Sequence, residues 1–255
     1  MTIQLIRSTR NRTWFPFPSR ARDERARLIC LPFAGGGASR FLPLSRLLEP
    51  DLGVHPVQFP GREGRFDDPA HSDAGALVTE LAGAVAELAD RPYAVLGYSL
   101  GASYAYELVR ALEKAGAPAP RALFAVASPA PHTRSALRLS DATDTELLER
   151  VKSWQAVPDE VLGDAELLGM ALNTLRIDLG TWERHRHDIS TRLSIPIHVY
   201  TGDTDPTVTR PQLAGWRTRT TGTARFRTFT GGHFFGFDQG EVLAAAVRAD
   251  LALYT

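Results

Sequence analysis

Apolar residues along this chain fall into two alternating rhythms. Short apolar runs occur at 27–33, 53–59, Tyr93–Leu96, 121–128 and Ile195–Thr201, with the length and composition of buried strands. Arg225–Thr230 reads as a further strand. Between them lie stripes at helical spacing. Phe41, Leu44 and Leu48 form one; Leu77, Leu81, Val85 and Leu88 form a second over 74–90, with Ser72 or Asp73 as its cap. Tyr104, Leu108 and Leu112 form a third in Ala102–Ala115, and Leu243, Val247 and Leu251 a last one. Strands alternating with helices predict the α/β class, a mostly parallel sheet with helices on both faces. Pro56 marks its strand as an edge or a bend. Residues 1–26 carry Trp14, Phe15 and Phe17 and read as an arm that packs aromatics on the domain edge.

From Arg134 to Ser190 the strand signal disappears. Leu147, Leu148 and Val151, then Leu167, Leu168, Leu172 and Leu175, keep helical spacing. The segment is too long for a plain crossover. It is expected to be a helical insertion over 134–190 that covers the sheet's active edge as a lid; a purely structural helical subdomain is the bland alternative. No repeat or low-complexity linker divides the chain, so residues 1–255 are expected to form one domain carrying this insertion.

Composition narrows the partners. Formal net charge is zero, which argues against bulk attraction to nucleic acid or anionic lipid. Cys30 is the single cysteine, so no internal disulfide can form, and its strand position predicts a buried, inert thiol. No apolar run approaches the roughly 20 residues of a membrane span. The Arg-rich N-terminus, broken by Pro16 and Pro18, lacks the apolar core of a signal peptide. A cytoplasmic, monomeric enzyme is expected. H-E-x-x-H and Cys/His clusters are absent, so neither metal nor cofactor is expected.

The chemistry gathers at strand ends. Gly97-Tyr98-Ser99-Leu100-Gly101 reads G-x-S-x-G between a strand and a helix, the nucleophile-elbow context. Crowding at that turn needs the flanking glycines, and the backbone N–H of Leu100 faces whatever Ser99 attacks. Phe33-Ala34-Gly35-Gly36-Gly37 follows the first strand. It fails the phosphate-loop spacing, because Arg40 stands where a third glycine would be needed. It reads instead as a loop whose N–H groups reach a reacting oxygen, with Ser39 capping the next helix. A serine nucleophile needs a base, and the base an orienting carboxylate. His198 lies in an apolar strand, His185 and His187 in a charged stretch, His55 before the serine, and His71 and His132 in loops. His233 follows a strand, sits between glycines and aromatics, and precedes the last helix. It is the candidate base. Asp203 and Asp205 both lie just past a strand's C-terminal end; Asp205 is the candidate acid, and Asp203 the turn-forming residue.

Several motifs together resemble one family, the stand-alone type II thioesterases that accompany polyketide synthases and nonribosomal peptide synthetases. They are Leu31 to Ser39, Gln58-Phe-Pro-Gly-Arg-Glu63, Gly97 to Ala102, Gly202-Asp-Thr-Asp-Pro206 and Gly231-Gly-His-Phe-Phe235. Tyr98 and Leu100 stand where family members often carry histidine and methionine. The resemblance implies an α/β-hydrolase fold with a helical lid. It implies hydrolysis of thioesters on the phosphopantetheine arm of an acyl or peptidyl carrier protein. It also implies an oxyanion hole made by the N–H groups of Leu100 and Ala34, with Phe33 as the alternative to Ala34. A basic rim of Arg134, Arg138, Arg150, Lys152, Arg176, Arg184 and Arg186 could face an acidic carrier. A carboxylesterase or lipase with the same triad is the alternative enzyme. A non-catalytic carrier-binding protein is the alternative of another class.

Overall fold

The computed structural model describes residues 9–19, 21, 24–133, 138–154, 159–188 and 190–254. Its strands are β1 (Ala26–Leu31), β2 (Leu52–Pro56), β3 (Tyr93–Tyr98), β4 (Leu123–Val126), β5 (Ile197–Gly202) and β6 (Ala224–Phe229). Its helices are α1 (Thr9–Trp14), α2 (Leu42–Leu48), α3 (Ala74–Ala86), α4 (Leu100–Lys114), α5 (Asp144–Ser153), α6 (Asp159–Leu162), α7 (Ala165–Glu183), α8 (Arg210–Ala214), α9 (Phe235–Asp238) and α10 (Gly240–Leu251). The strands form one sheet in the order β2-β1-β3-β4-β5-β6, and every pairing is parallel. The parallel α/β architecture expected from the sequence is the one observed.

The apolar runs are continuous because the central strands bury both faces. Alternate residues of β1 divide between two cores. Ile29 and Leu31 face the layer containing Leu81, Leu108 and Leu112; Leu28 and Cys30 face Phe41, Leu48 and Val247. Each such side chain taken from water contributes roughly 1.5–3 kcal/mol. Burial pushes the Cys30 thiol far above its usual range, so it is inert. Trp14 and Phe15 join the first core, as the arm reading requires. Pro56 ends β2, which is an edge strand, where a missing N–H does no harm. Asp73 rather than Ser72 caps α3, accepting from Ala76 N at 2.9 Å.

Between β4 and β5 lie α5, α6 and α7. A capping box of Thr143 and Glu146 starts α5, and the Asp164 side chain caps α7. Leu147 and Val151 of α5 pack on Leu172, Leu175 and Leu179 of α7 in a small separate core, and Ala34 lies against it. So α5 and α7 close over the loop that follows β1. Among the described residues, no helix is long and apolar enough to cross a membrane.

Candidate active site

Ser99 occupies the turn from β3 into α4 with φ 53° and ψ −117°. A non-glycine residue held there costs on the order of 1–3 kcal/mol, so the surroundings must enforce it. The Ser99 N–H donates to Val126 O at 2.8 Å, tying the turn to β4. A Cβ at Gly97 would come within 2.3 Å of the Ala102 Cα, and one at Gly101 within 2.3 Å of Leu31 O. Both glycines are there because the backbone passes too closely for any side chain.

The loops after β5 and β6 bring the acid and the base together. His233 Nδ1 lies 3.0 Å from Asp205 Oδ2, with both residues buried. The other oxygen, Oδ1, accepts from the Thr207 N–H and hydroxyl, each at 2.8 Å, and Thr207 Oγ1 is also 2.9 Å from His233 Nδ1. Burial opposes ionisation of Asp205, but hydrogen bonds from His233 and Thr207 outweigh it and hold the carboxyl below its usual range. Asp203 is exposed and serves the turn. Its Oδ1 accepts from Gly231 N at 2.9 Å. The two loops also touch backbone to backbone. Thr204 N donates to Gly231 O at 3.1 Å, and a Cβ at Gly202 would come within 2.2 Å of that same oxygen. Tyr98 supports the histidine from beneath. Its hydroxyl donates to His233 O at 2.7 Å and accepts from Gly236 N at 3.3 Å.

Ser99 and His233 open onto two adjoining cavities. The larger, about 640 Å³, is lined by Ala34, Leu100, Trp154 and a polar wall that includes His132, His185 and His187. The smaller, about 280 Å³, runs between the glycine-rich loop and the insertion, and Val151, Leu172 and Leu175 line it. Trp154 borders both. Ala34 and Leu100 line the same cavity as Ser99. Met170 is 41% exposed and faces a different hollow, beside Gly61 and Phe66.

The Pro60-Gly61-Arg62-Glu63 stretch is not a solvated turn. Arg62 is buried, and its two terminal nitrogens each reach Asp178 of α7 at 2.6 Å. Burial works against the Arg62 charge, yet the adjacent carboxylate more than offsets this and raises its pKa further. Asp178 Oδ2 also accepts from Gly35 N at 2.7 Å. Glu63 Oε1 accepts from the Ser39 hydroxyl at 2.5 Å. Ser39 is thus not a helix cap: its side chain binds Glu63, and Gly37 holds the N-cap position. Sequence reasoning missed Asp178, Thr207 and the supporting role of Tyr98. The one available signal was Thr207 two residues after Asp205, the spacing of a local side-chain-to-backbone turn.

The other histidines are placed as follows. His198 is buried in β5 between Asp250 and Tyr254, and His55 lies 2.6 Å from Glu24. His185 and His187 are not free in solvent but half-buried against Glu107 and Trp182. Of the basic residues, Arg150, Lys152, Arg184 and Arg186 are exposed, and Arg138 borders the larger cavity. Arg176 instead binds the Ser140 and Ala142 carbonyls and Asp144, and Arg134 lies outside the described residues.

The parallel sheet, the serine turn and the loops after β5 and β6 define an α/β-hydrolase fold. The chain belongs to the Thioesterase domain family, which it matches over residues 26–251. It is 37% identical over 84% of its length to the "Probable cadicidin biosynthesis thioesterase" of Streptomyces griseus, and spans 59% of that protein. It is 36% identical over 92% of its length to the AMB antimetabolite synthetase AmbE of Pseudomonas aeruginosa, and spans 11% of it. The solved structure of the type II thioesterase BorB from the borrelidin biosynthetic cluster superposes with a TM-score of 0.84 at 33% identity, covering 94% of this chain and 98% of BorB.

Proposed function

We propose that this chain is a serine hydrolase that cleaves acyl thioesters from the phosphopantetheine arm of an acyl or peptidyl carrier protein. The observation that carries it is the Asp205–His233 pair facing the same cavity as Ser99, in a chain of the Thioesterase family. With Nδ1–H donating to Asp205, His233 Nε2 is left as the base. It takes the Ser99 proton as Oγ attacks the thioester carbonyl. The N–H groups of Leu100 and Ala34 receive the developing oxyanion, each contributing on the order of 10²–10³ in rate. The carbon–sulfur bond then breaks, and the thiol leaves with the proton from His233. A thiol with a pKa near 8.5 departs far more easily than an amine, so this step leans little on acid help. Water attacks the acyl-serine, giving its proton to His233. Ser99 recovers that proton as the carboxylic acid departs. The 134–190 insertion acts as the lid, since α5 and α7 wall the smaller cavity.

The test is the intact mass of an acyl-loaded carrier protein before and after incubation. Loss of the acyl mass with wild type, and its persistence with Ser99→Ala, is the expected result. The variant should lose roughly four to six decades of turnover while keeping its melting temperature. Near-wild-type turnover by Ser99→Ala would overturn the triad. Preference for an oxygen ester over the matched thioester would replace the substrate class with a carboxylesterase's.

A further inference from the structure

Glu107, His185 and His187 converge beside the larger cavity, which the two histidines line. Glu107 lies on α4, eight residues after Ser99, or about 12 Å along the helix axis. Glu107 Oε1 lies 3.1 Å from His187 Nδ1 and 3.7 Å from His185 Nε2, and all three atoms lie within 4.8 Å of one another. Tetrahedral zinc with bonds near 2.05 Å puts neighbouring ligand atoms about 3.3 Å apart, so the first two spacings bracket that edge. At 3.7 Å, His185 Nε2 is beyond hydrogen-bonding distance of Glu107, and this buried nitrogen has no hydrogen-bond partner among the described residues. A buried imidazole nitrogen without a partner is costly unless a ligand completes it.

The surroundings fit an ion. Arg110 donates to the other Glu107 oxygen at 2.5 Å, which orients the carboxylate and leaves Oε1 toward the histidines. Asp188 in turn pairs with Arg110 at 3.0 Å. With neutral imidazoles, Glu107 and Asp188 leave one net negative charge over Arg110. Two nitrogens and one carboxylate oxygen suit a late first-row dication. Both histidines line the cavity, so a fourth position would open toward the space that Ser99 shares. We propose that Glu107 Oε1, His185 Nε2 and His187 Nδ1 form a three-ligand site for a divalent transition metal, zinc being the probe, with its exchangeable position facing this cavity. No linear motif announces the site, because the fold joins residues from α4 and from beyond α7.

Tag-free full chain, stripped with EDTA, is titrated with Zn²⁺ by calorimetry and with Co²⁺ by visible absorption. One ion per chain and the intense bands of tetrahedral Co²⁺ are expected. The His185→Asn/His187→Asn double variant should lose more affinity than the roughly 10–100-fold that loss of an outer-shell partner costs. His132→Asn, in the same cavity but outside the cluster, should bind as wild type does. Independently of any variant, Zn²⁺ should protect His185 and His187, but not His71, from diethyl pyrocarbonate as mapped by mass spectrometry. Absence of saturable binding to wild type, undiminished binding by a folded double variant, or unprotected His185 and His187 would each overturn the proposal. None of these readouts uses thioester turnover, so the outcome is independent of the function proposed above.

Discussion

Asp178 on α7 gives both carboxylate oxygens to the Arg62 guanidinium, each at 2.6 Å, and one of them also holds the Gly35 N–H. One side chain of the insertion therefore clamps the loop after β1 and the loop after β2 at once. That first loop carries Ala34.

Breaking the clamp from one side strands a buried charge. Asp178→Ala should cost about 3–5 kcal/mol in urea unfolding and should lower kcat, because Gly35 loses its acceptor next to Ala34. The double variant Arg62→Met/Asp178→Leu should recover much of the stability but not the kcat. Wild-type kcat in the double variant would mean that the glycine loop keeps its shape unaided.

Asp205→Asn should lower kcat by about 10³–10⁴ through the wrong histidine tautomer. Asp203→Asn should change it far less, since Asp203 touches only the turn. Thr207→Val removes a hydroxyl that contacts both Asp205 and His233 and should fall between the two. Steady-state kinetics on one thioester rank the three. A reversed order for the aspartates would move the acid to position 203.

Leu172→Trp should narrow the smaller cavity and depress turnover of long acyl thioesters relative to acetyl. Met170→Trp should leave the chain-length profile unchanged, because Met170 faces a separate hollow. A series of acyl lengths assayed with both variants checks this. An equal effect at every length would make the insertion structural only.

Acid should loosen the sheet edge at Asp250. Burial alone would raise its carboxyl, yet Arg227, Tyr200 and His198 hold it at about 2. The unfolded carboxyl titrates near 3.9. The pair's contribution, on the order of 2 kcal/mol, is therefore full above about pH 4 and lost as pH falls toward 2. Burial also pushes the His198 pKa down, so stability falls further as the unfolded histidine charges below about pH 6.5. Urea midpoints of wild type and Asp250→Asn should differ at pH 7 and converge at pH 2. A constant gap would show that Asp250 does not titrate in this window.

Period and punctuation carried most of the architecture. Buried parallel strands write themselves as unbroken apolar runs, and Ser99 and Asp205 each follow such a run, while His233 follows β6, whose residues are mostly exposed. Arg62 could not be read this way. A charged residue in a Pro-Gly turn looks solvated until a partner more than a hundred residues away is known, and Asp178 sits in a helix whose spacing records only its apolar face. His185 and His187 were equally illegible: their neighbours in sequence are charged, while their neighbour in space is Glu107.

The loops after β5 and β6 are joined at Gly202 and Gly231 so closely that no side chain fits between them. Asp205 and His233 thus ride on a single rigid block, whereas Ser99 rides on the β3–α4 turn. Tyr98, next to Ser99 in the chain, reaches across to the His233 carbonyl at 2.7 Å, so the turn that carries the serine is moored to that same block.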